Sequence, residues 1–444
     1  MKNKSYITLG FATIVVALAL LFSTNVLAST KKEKEKTTEP KKELSRLEAF
    51  AKFTKVISIV EQYGVDEVSI EELMNKALEG MMSNLDAHSN YLKQKDFNNL
   101  KIQTNGEFGG LGITVGTKDG AITVIAPIEG TPADKAGIKS GDIILKINNT
   151  STLSMTIDDA VSIMRGNIGE PIDLTIVRDG ERKPIEIKII RGNITIESVY
   201  DKSIGNDIQY IRVTSFDKKV VSDVTKAIKK RKATTKGIIL DLRNNPGGLL
   251  DQAVGLVDIF VDEGDIVSQK GRKKADDEIY TAKASNTLTN VPLVVLINGG
   301  SASASEIVSG SLQDHKRAIL VGQNTFGKGS VQAVLPITDT EAIKLTIARY
   351  YLPSGRTIQA VGVKPDISVN AGEVQTSKND YSLKESDLKK HLKEELEKVD
   401  TIKEQAKELK EDQKTVITDE MINKDIQLKE SIDIIKALII VKGK

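Results

Sequence analysis

The stretch "VPLVVLINGGSASASEIVSGSL" constrains the fold most. "VPLVVLIN" is a continuous apolar run and suits a strand buried on both faces. Gly299 and Gly300 break it, and "ASEIVSGSLQD" then reads as a helix. A buried strand, a tight turn and a helix form the repeating unit of an α/β sheet. The turn lies at the strand end, where such sheets place their ligands. Its alternating Ser and Ala leave more room than a turn or a helix start requires, so something must approach the backbone closely. The same unit recurs along the chain. "DIQYIRVTSF" is a strand and "SDVTKAIKKRKA" an amphipathic helix. "KGIILDLRNNPGG" is a strand ending in a Gly turn, "LLDQAVGLVDIFV" a helix, "RAILVG" a strand and "QNTFGKGSVQ" a loop. Residues 193–370 therefore read as one α/β core.

At 444 residues the chain exceeds one ordinary domain. Residues 1–28 carry Lys2 and Lys4, an apolar stretch, and Val26 and Ala28 at the spacing a signal peptidase prefers. An uncleaved membrane anchor is the competing reading. Both place the remainder in the periplasm or on the outer face of the cytoplasmic membrane. Residues 29–43 are charged and read as a solvated linker. Residues 44–104 read as helical: Leu47, Phe50, Phe53, Ile57 and Val60 form one stripe, and Ser69 with Glu72 has capping-box spacing. Residues 371–444 read as a charged helical tail, with a stripe from Leu388 to Leu409. Narrow stripes at both ends predict a homodimer or higher homo-oligomer.

Residues 105–192 are rich in strands: "FGGLGITV", "AITVIAPI", "DIILKIN", "PIDLTIVR" and "PIEIKII", with short helices at "PADKAG" and "TIDDAVSIMRG". This order resembles a PDZ domain. The resemblance implies that Gly110, Leu111, Gly112 and Ile113 bind a peptide's terminal carboxylate through backbone N–H groups. The peptide would add a strand beside "GLGITV", with apolar residues such as Val161 and Met164 lining the other wall.

Composition narrows the chemistry. The 63 basic and 61 acidic residues leave a net charge of +2, which gives no footprint for nucleic acid. Without cysteine there is no disulfide and no thiolate metal site, and His88, His315 and His391 have no metal spacing. No cofactor is expected. A serine beside a helix N-terminus meets unpaired N–H groups that favour an oxyanion, so a peptide carbonyl is what has to fit at the turn. On the residues alone Ser301, Ser303 and Ser305 all remain candidates for nucleophile. A serine needs a base, and no histidine has a convincing setting. Lys328, between two glycines and beside Phe326, stands apart from the solvated lysine runs; a desolvated lysine can serve instead.

"GSASASEIVSGSLQDHKRAILVGQNTFGKGSVQ" strongly resembles the core of the carboxyl-terminal processing peptidases, or tail-specific proteases. "LDAHSNYL", "GGLGI", "DLRNNPGG" and "RYYLPSGRTIQAVGVKPDI" follow in family order, with Ala87 where the family has proline. The resemblance covers about residues 44–370. It implies a multidomain α+β chain in which a PDZ domain is inserted in a crotonase-like α/β serine protease core, flanked by helical segments. It implies Ser303 as nucleophile, Lys328 as base and Gln332 as the residue that orients the lysine. It also implies an oxyanion hole from the N–H groups of Ala304 and Gly247, the latter ahead of Gly248. The substrates implied are proteins or peptides with free C-termini. A catalytically silent PDZ adaptor is the alternative. Such a chain would have lost Ser303 or Lys328, and both are present.

Overall fold

The computed structural model describes residues 44–118, 120–374 and 415–443. The apolar N-terminus at 1–28, the linker at 29–43, His391 and the stripe from Leu388 to Leu409 lie outside the described residues. The chain divides between Ala77 and Leu78 into two units.

The first unit carries α1 (Arg46–Tyr63). Ser45 starts it: the Glu48 N–H donates to Ser45 Oγ at 3.3 Å, and the Ser45 N–H donates to Glu48 Oε2 at 2.9 Å. The apolar stripe is present but uncovered: Leu47 is 80% exposed and Phe50 68%, and no residue of the helix is buried. The next helix, α2 (Ile70–Ser83), begins where the capping spacing places it, with the Glu72 N–H on Ser69 Oγ at 3.2 Å.

The second unit opens with β1 (Asn90–Leu92), α3 (Gln94–Asn105) and β2 (Glu107–Gly110). A small antiparallel domain follows. It comprises β3 (Ile113–Lys118), β4 (Ala121–Pro127), α4 (Pro132–Lys135), β5 (Ile143–Ile147), β6 (Thr150–Ser151), α5 (Ile157–Met164), β7 (Pro171–Val177) and β8 (Ile185–Ile190). Its strand order is β3-β4-β5-β7-β8, so β3 is an edge. Ile172, Leu174 and Ile176 of β7 point inward at period two and share a core with Ile144, Ile147 and Met164. The chain leaves through β9 (Gly192–Thr195), which pairs with β2 from Glu107↔Thr195 to Gly110↔Gly192. Entry and exit thus share one ribbon, which makes the small domain an insertion.

The core contains β10 (Val199–Ile204), β11 (Ile208–Val213), α6 (Val220–Arg231), β12 (Gly237–Asp241) and α7 (Leu250–Asp258). Next come β13 (Asp265–Gly271), β14 (Glu278–Thr281), β15 (Leu293–Ile297), α8 (Ala304–Asp314) and β16 (Ile319–Gly322). After β17 (Ser330–Pro336), β18 (Ala342–Tyr351) and β19 (Ile367–Ser368), the described tail supplies α9 (Asp419–Asn423) and α10 (Ile426–Lys442). The main sheet has the order β10-β11-β12-β15-β16-β19 and is parallel from β11 onward. Every residue of β12 and β15 is buried, as their continuous apolar runs require. On one face Leu240 and Val295 pack with Leu256 of α7 and Ile307 of α8. On the other, Ile239, Val294 and Leu296 pack with Leu428, Ile432 and Ile435 of α10, worth about 1.5–3 kcal/mol per buried side chain. The tail is therefore not only a surface segment: α10 is a layer of the core. In a second sheet, β18 pairs with β17 along its length and with β1 at its start. That pairing carries "LDAHSNYL" to the region of Lys328.

Candidate active site

Two loops at the C-terminal ends of β12 and β15 interlock. The Ala302 N–H donates to the Asn245 carbonyl at 3.0 Å, and Ser305 Oγ donates to the same carbonyl at 2.9 Å. Ser301 Oγ donates to the Leu242 carbonyl at 2.8 Å and accepts from the Asn298 N–H at 3.0 Å. Ser301 and Ser305 are fully buried, so their hydroxyls brace the loops and cannot meet a substrate. Ser303 is partly exposed and has φ 54°, in the left-handed region that a serine adopts at a cost on the order of 1–3 kcal/mol. Such strain on a strand–turn–helix junction is how a nucleophilic serine is lifted clear of its neighbours. Of the three candidates, Ser303 is the one the fold presents.

Ala304 is the first residue of α8, so its N–H has no partner within the helix. Gly247, at φ 102°, lies against it: a Cβ there would stand 2.9 Å from Ser303 Cβ and 3.0 Å from Ala304 N. Only glycine allows this approach. The Gly247 N–H itself donates to Asn245 Oδ1 at 2.9 Å, an internal partner with no sequence signature. Gly248 is pressed instead against the Phe216 carbonyl, 2.2 Å from where its Cβ would be.

Glu306 joins the two halves of the site. Its carboxylate is fully buried. Oε2 accepts from the Ser303 N–H and the Lys328 N–H, both at 2.8 Å. Oε1 accepts from Thr325 Oγ1 at 2.6 Å and the Gly327 N–H at 2.7 Å. One oxygen thus holds the backbones of Ser303 and Lys328 side by side. Sequence reasoning missed Glu306, although Ser303 and Glu306 have the S-x-x-E spacing of a capping box.

Burial lowers the pKa of Lys328, and the positive charge of Lys344 adds to this, against the pull of Glu306. The side chain expected to provide that burial does not: Phe326 is 63% exposed. The lysine's loop is instead laid inward by the Phe326 N–H on the Ser301 carbonyl at 3.0 Å and the Ala360 N–H on the Gly327 carbonyl at 2.8 Å. Gln332 uses its amide nitrogen elsewhere, on Ser330 Oγ at 2.8 Å and Thr346 Oγ1 at 3.4 Å. Thr346 Oγ1 donates to Asp86 Oδ1 at 3.0 Å, and Ser89 Oγ to Asp86 Oδ2 at 2.6 Å. Ser89 and the other donors hold the Asp86 carboxyl at about 2, below its ordinary range. His88 joins this cluster: burial and Lys328 hold its imidazole below the usual value. His315 lies at the far end of α8, on the Asp265 carbonyl at 2.7 Å.

In the Gly110–Ile113 loop of the inserted domain, Gly112 has φ 79° and lies against Thr131, and Gly110, Leu111 and Gly112 are buried. The edge β3 and α5 flank it. Of the two expected wall residues, Met164 is buried in the core and Val161 packs at its margin. Gly166 at the end of α5 donates its N–H to the Gly109 carbonyl at 3.1 Å.

Residues 207–369 match peptidase family S41, and residues 123–178 match a PDZ domain. The chain is thus a serine peptidase of family S41 that carries a PDZ domain. Relatives narrow this further. The carboxy-terminal-processing protease of Bartonella bacilliformis is 46% identical over 329 residues, which are 73% of this chain and 76% of that protein. The carboxy-terminal processing protease CtpA of Bacillus subtilis is 36% identical over 322 residues, 71% of this chain and 69% of that protein. Among solved structures, the photosystem II D1 C-terminal processing protease matches with 27% identity and a TM-score of 0.42, over 73% of this chain and 88% of that one. The chain belongs to the carboxy-terminal processing protease family.

Proposed function

We propose that this peptidase recognises the free C-terminus of a protein or peptide through its PDZ domain and cleaves peptide bonds with a Ser303–Lys328 dyad. The shared Glu306 oxygen carries the reading, because it joins the backbones of the presented serine and of a lysine whose pKa burial lowers. Neutral Lys328 takes the Ser303 proton as Oγ attacks the peptide carbonyl. The oxyanion that forms accepts from the Ala304 N–H and from the Gly247 N–H once the latter turns from Asn245. The leaving amine takes the proton from Lys328, and a water then hydrolyses the acyl ester with Lys328 again as base. Gln332, its nitrogen engaged by Ser330 and Thr346, has its carbonyl oxygen left to orient the lysine.

The uncovered stripe of α1 favours self-association into a homodimer or larger assembly. The Lys-apolar-small pattern of residues 1–28 favours export, to the periplasm or the outer face of the cytoplasmic membrane, with or without retention as an anchor. Among the described residues no helix is long and apolar enough to cross a membrane.

The test is digestion of unfolded proteins with fragments mapped by mass spectrometry. Ser303→Ala and Lys328→Ala are expected to yield no cleavage while remaining folded. Ser301→Ala and Ser305→Ala are expected to retain it in proportion to their folded fraction. Cleavage by Ser303→Ala, with loss in either neighbour at unchanged stability, refutes the choice of serine.

A further inference from the structure

The loop that carries Gly247 is held from below by a residue far along the chain. Arg243 leaves the end of β12 and turns back. Its Nε donates to Asp241 Oδ1 at 3.0 Å and its Nη2 to Asp241 Oδ2 at 2.6 Å. Asp241 is fully buried and also accepts from Tyr210 Oη at 2.7 Å. The outer edge of the guanidinium is taken by the tail. Nη1 donates to Asp425 Oδ1 at 2.9 Å and Gln427 Oε1 at 3.0 Å, and Nη2 lies 2.7 Å from Asp425 Oδ2. Gln427 is itself buried and anchored by its Nε2 on the Val369 carbonyl at 2.8 Å. Arg243 is mostly buried, so without Asp425 its Nη1 and Nη2 would each lose one acceptor and keep only Gln427 and Asp241, and a buried guanidinium short of partners moves to find them.

What moves with Arg243 is the catalytic turn. Next to it, Asn244 sits at φ 57° with its N–H on Asn298 Oδ1 at 2.9 Å. Asn245 then donates to the Val213 carbonyl, accepts the Gly247 N–H, and receives the Ala302 N–H and Ser305 Oγ on its carbonyl. The residues from 243 to 247 thus form one hydrogen-bonded piece with the turn that presents Ser303.

We propose that Asp425 is a positioning residue for peptide-bond cleavage: its carboxylate, at the N-terminus of the tail helix, holds Arg243 and thereby fixes the turn that sets Gly247 against Ser303. This rests on the reading of Ser303 as nucleophile. Asp425 has a second, purely structural duty, since it accepts the Leu428 N–H at 3.0 Å and caps α10. The two duties can be separated. Asparagine caps a helix as well as aspartate does but carries no charge for Arg243. Ile432 is buried on the same helix in the core layer and has no polar group to offer Arg243, so Ile432→Ala weakens the packing of α10 and leaves the Arg243–Asp425 pair in place.

The experiment measures kcat, KM and melting temperature of the full chain and its variants on a quenched-fluorescence peptide that wild type cleaves. The peptide has an apolar last residue and a free carboxylate. For Asp425→Asn, kcat is expected to fall at least about tenfold, with KM within about twofold of wild type and the protein still folded at the assay temperature. Ile432→Ala is expected to melt earlier yet keep wild-type kcat below its transition. An unchanged kcat in Asp425→Asn overturns the inference. So does a loss of kcat that tracks the loss of stability equally in both variants, which is the signature of a structural role. Ser303→Ala is run alongside: cleavage that persists in it overturns the Ser303 reading itself, and this inference with it.

Discussion

Replacing Glu306 by glutamine separates two effects that the buried carboxylate exerts on the site. The carboxylate accepts four hydrogen bonds, from Ser303 N, Lys328 N, Gly327 N and Thr325 Oγ1. A glutamine has one oxygen to accept with, and its NH2 group cannot accept at all. Two buried donors are therefore left facing a donor, at about 1–3 kcal/mol each. The roughly 2–6 kcal/mol at stake is a large part of a typical folding free energy of about 5–15 kcal/mol. The electrostatic effect runs the other way. Glu306 raises the Lys328 pKa against burial, so neutralising it lowers that pKa further and leaves more neutral amine at a given pH. Were the carboxylate only a counter-charge, Glu306→Gln would be faster at neutral pH. Because one oxygen holds both backbones, the geometric loss is expected to dominate. The expected result is a fall in kcat of at least about a hundredfold, close to 2.7 kcal/mol. At the same time the acid limb of kcat/KM should move to lower pH. The assay is the pH dependence of peptide cleavage for both proteins, with thermal melts to confirm that the variant is folded at the assay temperature. A faster variant at neutral pH, or an acid limb displaced upward, refutes the reasoning.

Gly247→Ala places a methyl 2.9 Å from Ser303 Cβ at φ 102°. It is expected to lower kcat by about 10²–10³, measured by steady-state cleavage; near-normal turnover would remove Gly247 from the oxyanion site. C-terminal amidation of a peptide removes the charge that the Gly110–Ile113 loop would receive. It is expected to weaken binding to full-length Ser303→Ala at least about tenfold by fluorescence anisotropy, and equal affinity would discard the carboxylate reading. Leu47 and Phe50 lie on the uncovered face of α1. The double change Leu47→Glu and Phe50→Glu is expected to lower the mass seen by light scattering with melting temperature unaltered, while an unchanged mass would place the interface elsewhere.

The main strands were legible because burial on two faces leaves no polar position to confuse the pattern: β12 and β15 are buried at every residue. The small-residue turn after β15 was legible because close approach demands small residues, but only burial separates Ser303, which is partly exposed, from Ser301 and Ser305. The role of Glu306 was half legible. Its capping spacing is local, whereas its bonds to Gly327 and Lys328 come from a loop more than twenty residues on. Phe326 misled because an aromatic neighbour in sequence implies cover, yet a side chain between two backbone-anchored residues can point outward, as this one does. The contact of Arg243 with Asp425 spans 182 residues and leaves no periodic trace. His88 has no catalytic setting in its own stretch of sequence, and the pairing of β1 with β18 gives it one.

That position of His88 makes the choice of base the decisive point. The most direct measurement is the pH dependence of kcat/KM for wild type, Lys328→Arg and His88→Ala on one peptide. Lys328 has its pKa lowered, and only its neutral form can accept the serine proton, so wild-type activity is expected to rise with pH through that depressed value. Arginine keeps the charge and does not deprotonate in this range. Lys328→Arg is expected to be at least about a thousandfold slower, with no rising limb. His88→Ala is expected to keep both the limb and most of the rate. A Lys328→Arg enzyme within about tenfold of wild type, or a folded His88→Ala enzyme as inactive as Lys328→Arg, would contradict a serine–lysine mechanism.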